Sequence, residues 1–507
     1  MSPRIGRAGG YMASIVGTAG DDTLVGTQDP DTIRGLAGDD TLIGNAGADF
    51  VDGGVGDDYI IAAAGDTVRG GDGVDGLELV YFGSAASLDL SGMTVSNTVT
   101  ISDGIRVSGF EYVNIFTDHF DDHIVNGDVG AFILAVGGND TIISGNGDDY
   151  LRGGVGDDSL NAGGGFDRIG FFTEAQATGC TVDLRLQGVA QNTEAGMDVL
   201  VGFENVSGTK NSDTIIGDGG DNILWGSGDG TAAADGDDLI VGNAGNDLLV
   251  VGDGAHTVNG GDGLDTLSVY GNSTDTSGGM VIDLNLQGPA AQNTTRGLMV
   301  IRNIENLNGS IHDDSFTGDR FANRIAGVDG DDTLRGGASA DRLYGDGRIE
   351  SNWPYALSGP QGEWEALYED DVTPGADLLD GGKGDDTLVG GGEADELTGG
   401  GGADTFRYIQ LEDSEVGNED FIGDFSHAND FLDVSAIDAD ETQAGDQAFV
   451  LVNTLTGVAG QAALVYDKIT ATTEVQLDTD GDAEADAIIV MNGRFIVATM
   501  GDGTFVA

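Results

Sequence analysis

Along most of the chain a large apolar residue recurs every nine positions, two places after an aspartate, in a background of glycine. From Gly17 to Glu78 the chain reads GTAGDDTLV, GTQDPDTIR, GLAGDDTLI, GNAGADFVD, GGVGDDYII, a shortened AAAGDTVR and GGDGVDGLE. Leu24, Ile33, Leu42, Val51 and Ile60 mark the apolar beat. The cleanest run, Gly381 to Arg407, is GGKGDDTLV GGGEADELT GGGGADTFR, and each unit fits G-G-x-G-x-D-x-U-x with U large and apolar. Three alternating residues make a short strand with one buried side chain. A single unit cannot cover that side chain, but stacked units share one core and ladder their strands in parallel. The glycines allow φ > 0 and let successive coils approach more closely than a Cβ would permit. The pattern therefore predicts an all-β chain, a parallel β-roll or β-solenoid.

The same beat divides the chain. Residues 1–16 form a leader or edge cap; repeats fill 17–78, 122–170, 208–268 and 309–405; spacer turns occupy 79–121, 171–207 and 269–308; 406–507 is a β-rich cap. The last repeat block carries a loop insert at 347–374, where Trp353, Tyr355, Trp364 and Tyr368 are candidate ligand contacts. The spacers share an apolar-Asp-Leu core, at Leu88-Asp89-Leu90, Val182-Asp183-Leu184 and Ile282-Asp283-Leu284. Glu111, Glu204 and Glu305 follow at matching distances, which reads as a repeated structural role in wider turns of the same solenoid. From Phe406 onward glycine thins out and alternating stretches such as Ala463-Leu464-Val465-Tyr466-Asp467 appear, suited to capping an open strand edge.

Composition gives the repeat its chemistry. The 507 residues include 89 Gly, 88 acidic residues and 20 Lys plus Arg, for a formal charge of -68. Such an excess repels itself in a compact state unless cations sit among the carboxylates. There is no basic patch to meet phosphates, which excludes a nucleic-acid partner. Cys180 is the only cysteine, so no internal disulfide forms, and its apolar setting reads as a buried structural position. No apolar stretch is long enough for a transmembrane segment.

Aspartates in register with the core, backed by rows of backbone carbonyls, offer the flexible, all-oxygen shell that calcium prefers. The candidate ligands are Asp22, Asp40, Asp49, Asp58 and Asp75 in the first block, and Asp149, Asp158 and Asp167 in the second. The third block gives Asp213, Asp238, Asp247 and Asp265; the fourth gives Asp314, Asp332, Asp341, Asp377, Asp386, Asp395 and Asp404. Units at Asp31, Asp66 and His256 are degraded, and those at Asp122 and Asp140 are imperfect. One apolar residue per nine is a thin core, so the chain is expected to need multiple calcium ions to fold.

These nonapeptides resemble the RTX (repeats-in-toxin, hemolysin-type calcium-binding) family over roughly Gly17 to Arg407. The tail resembles the region after the repeats in serralysin-type secreted metalloproteases. Its matching residues are Phe406, Asp420-Phe421-Ile422, Asp424-Phe425, Asp430, Leu432-Asp433-Val434-Ser435, Ile437-Asp438, Phe449, Gly460-Gln461, Leu464-Val465-Tyr466 and Asp478-Thr479-Asp480-Gly481-Asp482. The resemblance implies a parallel β-roll, export by a type I secretion exporter, and folding outside the cell where calcium is abundant.

Enzymatic motifs are scarce. No H-E-x-x-H occurs, and the nearest string, His119-Phe120-Asp121-Asp122-His123, lacks the glutamate and sits beside a degraded repeat. No G-x-S-x-G elbow is present. The expectation is a secreted, extracellular calcium-binding protein, associated with the cell surface, that acts as a binding or surface-structural element toward a surface polysaccharide or protein. The alternative is a secreted polysaccharide-modifying or hydrolytic enzyme with its site in the spacers.

Overall fold

A computed structural model describes residues 4–5, 12–82, 85–94, 96–101, 104–171, 178–193, 195–227, 236–269, 278–349, 366–367, 374–440, 443, 445, 447–500 and 504–506. Trp353, Tyr355, Trp364 and Tyr368, and most of the first sixteen residues, lie outside these. The chain forms two compact units, Met1–Asp229 and Gly230–Ala507.

In the first unit the repeat strands pair in parallel with the strand two repeats later, so one coil of the roll contains two nonapeptides. Thr23–Val25, Thr41–Ile43, Tyr59–Ala62 and Gly76–Val80 make one sheet, with Leu24, Leu42, Ile60 and Leu77 in register. The intervening strands Ser14–Val16, Thr32–Ala37, Phe50–Val55 and Thr67–Asp72 make the other, aligning Ile33, Val51 and Val68. All seven of these side chains are fully buried between the sheets, which is why the apolar beat is so regular. Two spacer strands extend these stacks, with Val107 beside Val68 and Val113 beside Leu77, while Leu88 beside Ile124 begins a separate sheet.

The second unit repeats the plan. Leu267, Leu307, Ile325, Leu343, Leu388, Phe406 and Leu432 line one sheet. Phe316, Leu334, Leu379, Leu397 and Ile422 line the other. Leu334 pairs directly with Leu379, so the roll passes the insert without losing register. Past Ile422 the parallel order gives way to antiparallel strands, Ala487–Asn492 with Thr472–Asp478 and that with Gln461–Asp467. This change covers the growing edge of the sheet, which would otherwise present unpaired N–H and C=O groups. Both near-identical spacers use one device. A Gln side chain, Gln187 or Gln287, donates to a backbone carbonyl (Phe203 or Ile304, each 2.7 Å) and accepts that residue's N–H at 2.9 Å.

Candidate calcium ladders

The turns bring the repeat aspartates into two ladders, one leading into each sheet. Each aspartate gives its backbone N–H to the Oδ1 of the aspartate one coil later. In the first unit this links Asp22 to Asp40 (2.8 Å), Asp40 to Asp58 (3.0 Å) and Asp58 to Asp75 (2.9 Å). On the other edge it links Asp31 to Asp49 (2.6 Å) and Asp49 to Asp66 (2.8 Å). In the second block Asp122, Asp140 and Asp158 form one series and Asp149 and Asp167 the other. In the second unit Asp332 reaches Asp377, Asp341 reaches Asp386, and Asp377 reaches Asp395, each at 2.7 Å, while Asp386 reaches Asp404 at 2.9 Å.

That bond uses one carboxylate oxygen. The other, Oδ2, is buried without a hydrogen-bond partner in Asp40, Asp49, Asp58, Asp75, Asp122, Asp140 and Asp167, and again in Asp332, Asp341, Asp377, Asp386 and Asp395. A buried, unpaired carboxylate oxygen is costly, and a row of them is relieved by protons or by bound cations. The surrounding space fits a hard ion. A Cβ built on Gly381 would lie 2.6 Å from Asp386 Oδ2 and 2.7 Å from the Gly399 carbonyl oxygen of the next coil. One on Gly336 would lie 2.5 Å from Asp341 Oδ2 and 2.6 Å from the Gly381 carbonyl. Carboxylate and carbonyl oxygens of successive coils thus converge on a gap that only glycine leaves open, an oxygen-only donor set suited to calcium.

Electrostatics point the same way. Burial, with the neighbouring carboxylates adding to it, pushes Asp49, Asp58 and Asp75 up to about 6. The same causes push Asp140 to about 7 and Asp149 and Asp377 to about 8. Asp31 behaves differently: burial raises it, but hydrogen bonds from Thr27 and Ala13 outweigh that and hold it below the ordinary value.

The candidate aspartates are not all alike. Asp22, Asp213 and Asp314 belong to the ladders by spacing, yet each accepts a local N–H on Oδ2, from Thr18, Thr209 and Ser310. At His256 the imidazole replaces the carboxylate: Nδ1 takes the Asp238 N–H at 3.2 Å and Nε2 lies 3.2 Å from the Gly252 carbonyl. Several ladder members escape the nine-residue beat. Asp198 accepts from Asp158, Asp420 from Asp395 and Asp430 from Asp404, at offsets of 40, 25 and 26 residues. Glu111, Glu204 and Glu305 accept the N–H groups of Asp75, Asp167 and Asp265, carrying the ladder across the spacers. In the cap, Asp478, Asp480 and Asp486 cluster, but Asp478 already accepts from Gly481 (2.7 Å) and Ala483 (3.2 Å).

The RTX calcium-binding nonapeptide repeat model matches residues 16–51, 25–60, 35–68, 134–169, 200–230, 233–267 and 307–347. These segments carry RTX-type calcium-binding repeats. Its end, residues 377–501, matches the peptidase M10 serralysin C-terminal model, so the RTX repeats run into a serralysin-type C-terminal region. Together these mark a secreted calcium-binding protein, and among the described residues no helix is long and apolar enough to cross a membrane. Among solved structures the chain is similar to the AlgE6R2 subunit of the Azotobacter vinelandii mannuronan C5-epimerase, solved in solution. Identity is 25%, the match covers 37% of this chain and 89% of that one, and the TM-score is 0.20. No curated protein matches the sequence.

Proposed function

We propose that this protein is exported unfolded by a type I secretion exporter, folds on calcium outside the cell, and there serves as a binding or surface-structural element for a cell-surface polysaccharide or protein. The observation that carries the reading is the row of buried, unpartnered Oδ2 atoms along both edges of the roll. Asp40, Asp49, Asp58, Asp75, Asp332, Asp341, Asp377, Asp386 and Asp395 are the residues best placed to hold ions there. Calcium, when bound, supplies the positive charge that lets these carboxylates stack. The chain's own groups do the rest: backbone N–H groups orient each Oδ1, glycines hold the coils close, and the apolar row fixes the strand register.

A binding role is favoured over catalysis because the regular spacer acids are already committed. Glu111, Glu204 and Glu305 each accept a ladder N–H at 2.6–2.9 Å. The aromatic insert, with Trp353, Tyr355, Trp364 and Tyr368, supplies the proposed contact. The test measures calcium-dependent retention of the full chain on immobilised surface polysaccharides, with product analysis of the same samples. Retention without product, weakened by Trp353→Ala or Trp364→Ala, supports the reading. Turnover of a polysaccharide that survives those changes but is lost on substituting spacer acids contradicts it.

A further inference from the structure

The turns take two forms, distinguished by the residue four places before the aspartate. In most open turns that residue stands at positive φ; Asp118 and Val136, four places before Asp122 and Asp140 with their unpartnered Oδ2 atoms, do not. Leu36 (90°), Asn45 (67°), Gly54 (127°) and Gly71 (144°) precede Asp40, Asp49, Asp58 and Asp75, whose Oδ2 atoms are buried and unpartnered. In the second unit Val328 (93°), Gly337 (107°), Gly382 (95°) and Gly391 (111°) precede Asp332, Asp341, Asp386 and Asp395 in the same condition.

In the closed form the place is held by Thr or Ser outside the left-handed region, and its N–H turns onto Oδ2. Thr18 donates to Asp22 at 2.5 Å, Thr27 to Asp31 at 2.6 Å, Thr209 to Asp213 at 2.8 Å and Ser310 to Asp314 at 2.6 Å. The hydroxyls of Thr27, Thr209 and Ser310 add bonds to the same oxygen at 2.8, 3.2 and 3.0 Å. The remaining oxygen is also taken: Oδ1 of Asp31 accepts from Ala13, that of Asp213 from Cys180, and that of Asp314 from Met280. In Asp31, Asp213 and Asp314 both carboxylate oxygens thus already accept N–H or O–H groups, which leaves no unpaired oxygen to call for an ion. The short hydroxyl of Ser or Thr favours this local bond; the branched Cβ of Thr adds some resistance to φ > 0, which Val328 shows is not decisive by itself.

We propose that Thr or Ser four places before the aspartate closes a turn to calcium that a left-handed residue in that place would leave open. The turns at Asp31, Asp213 and Asp314 therefore hold no ion on the carboxylate, and that at Asp22 is closed on Oδ2. The inference rests on the calcium reading above and narrows the ligands that spacing alone would name. The closed turns stand at the start of their blocks, where the chain leaves an irregular segment.

The test uses the full chain with calcium as the only probe, counting bound ions at saturation by equilibrium dialysis and emission spectroscopy, with circular dichroism as the check on folding. Thr27→Gly, Thr209→Gly and Ser310→Gly should each add about one ion. Thr27→Asn should act like Thr27→Gly, because Asn45 and Asn243 hold left-handed φ of 67° and 82° in this place. Thr27→Ser should leave the count unchanged. Unchanged counts in folded Gly and Asn variants overturn the inference while leaving calcium-driven folding intact. A wild-type chain that binds no calcium overturns both.

Discussion

The backbone N–H of Asp75 is 2.6 Å from Oε2 of Glu111, thirty-six residues away in sequence. Glu111 occupies the place in the ladder that an aspartate fills one coil earlier, and its longer side chain bridges the wider spacing of the spacer turn. Glu204 and Glu305 do the same for Asp167 and Asp265, at 2.8 and 2.9 Å. Glu111→Ala should leave a buried N–H unpaired and cost about 1–3 kcal/mol. Glu111→Gln keeps an acceptor and should cost clearly less. Denaturant unfolding in saturating calcium reads the difference, and equal losses for the two variants would mean the bond is not what Glu111 contributes.

Removing one apolar beat should be costly. Leu42 is fully buried between the sheets, so Leu42→Ala should lose about 2–5 kcal/mol. Val55, 55% exposed at the end of its strand, should tolerate Val55→Ser within about 0.5 kcal/mol. Both are read by unfolding in calcium, and a comparable loss at the two positions would contradict the core described above.

The roll and its core were legible because both sheets use the same three-residue strand and the same buried beat. Leu24 and Ile33, nine residues apart, sit in opposite sheets, and the alternation is written directly in the repeat. Most ladder aspartates were legible for the same reason. Asp198, Asp420 and Asp430 were not, because a ladder is closed by spatial neighbours and the intervening loops vary in length. Spacing also could not separate Asp22, Asp213 and Asp314 from the open turns. That distinction lies in whether the N–H of the residue four places earlier faces the carboxylate.

Protons should compete with calcium. Asp140 is pushed to about 7, and Asp149 and Asp377 to about 8, by burial first and by neighbouring carboxylates second. With folded values above the unfolded value of about 3.8, these groups favour the ion-free roll at low pH. That support is complete below the unfolded value and is lost as pH rises through about 7 to 8. In chelator the β-signal should therefore be stronger at pH 5 than at pH 8.5, and calcium binding near neutral pH should release protons. A β-signal that falls on acidification from pH 8.5 to pH 5 would run against this sign.

The central claim, that calcium builds the roll, is tested most directly by titrating calcium into chelator-treated chain at pH 8 while recording far-UV circular dichroism and bound ions. The account predicts a cooperative change from disordered to β-rich as multiple ions bind, reversed by chelator. A native β-signal that persists in excess chelator at that pH, or folding that saturates with one or two ions, would contradict it.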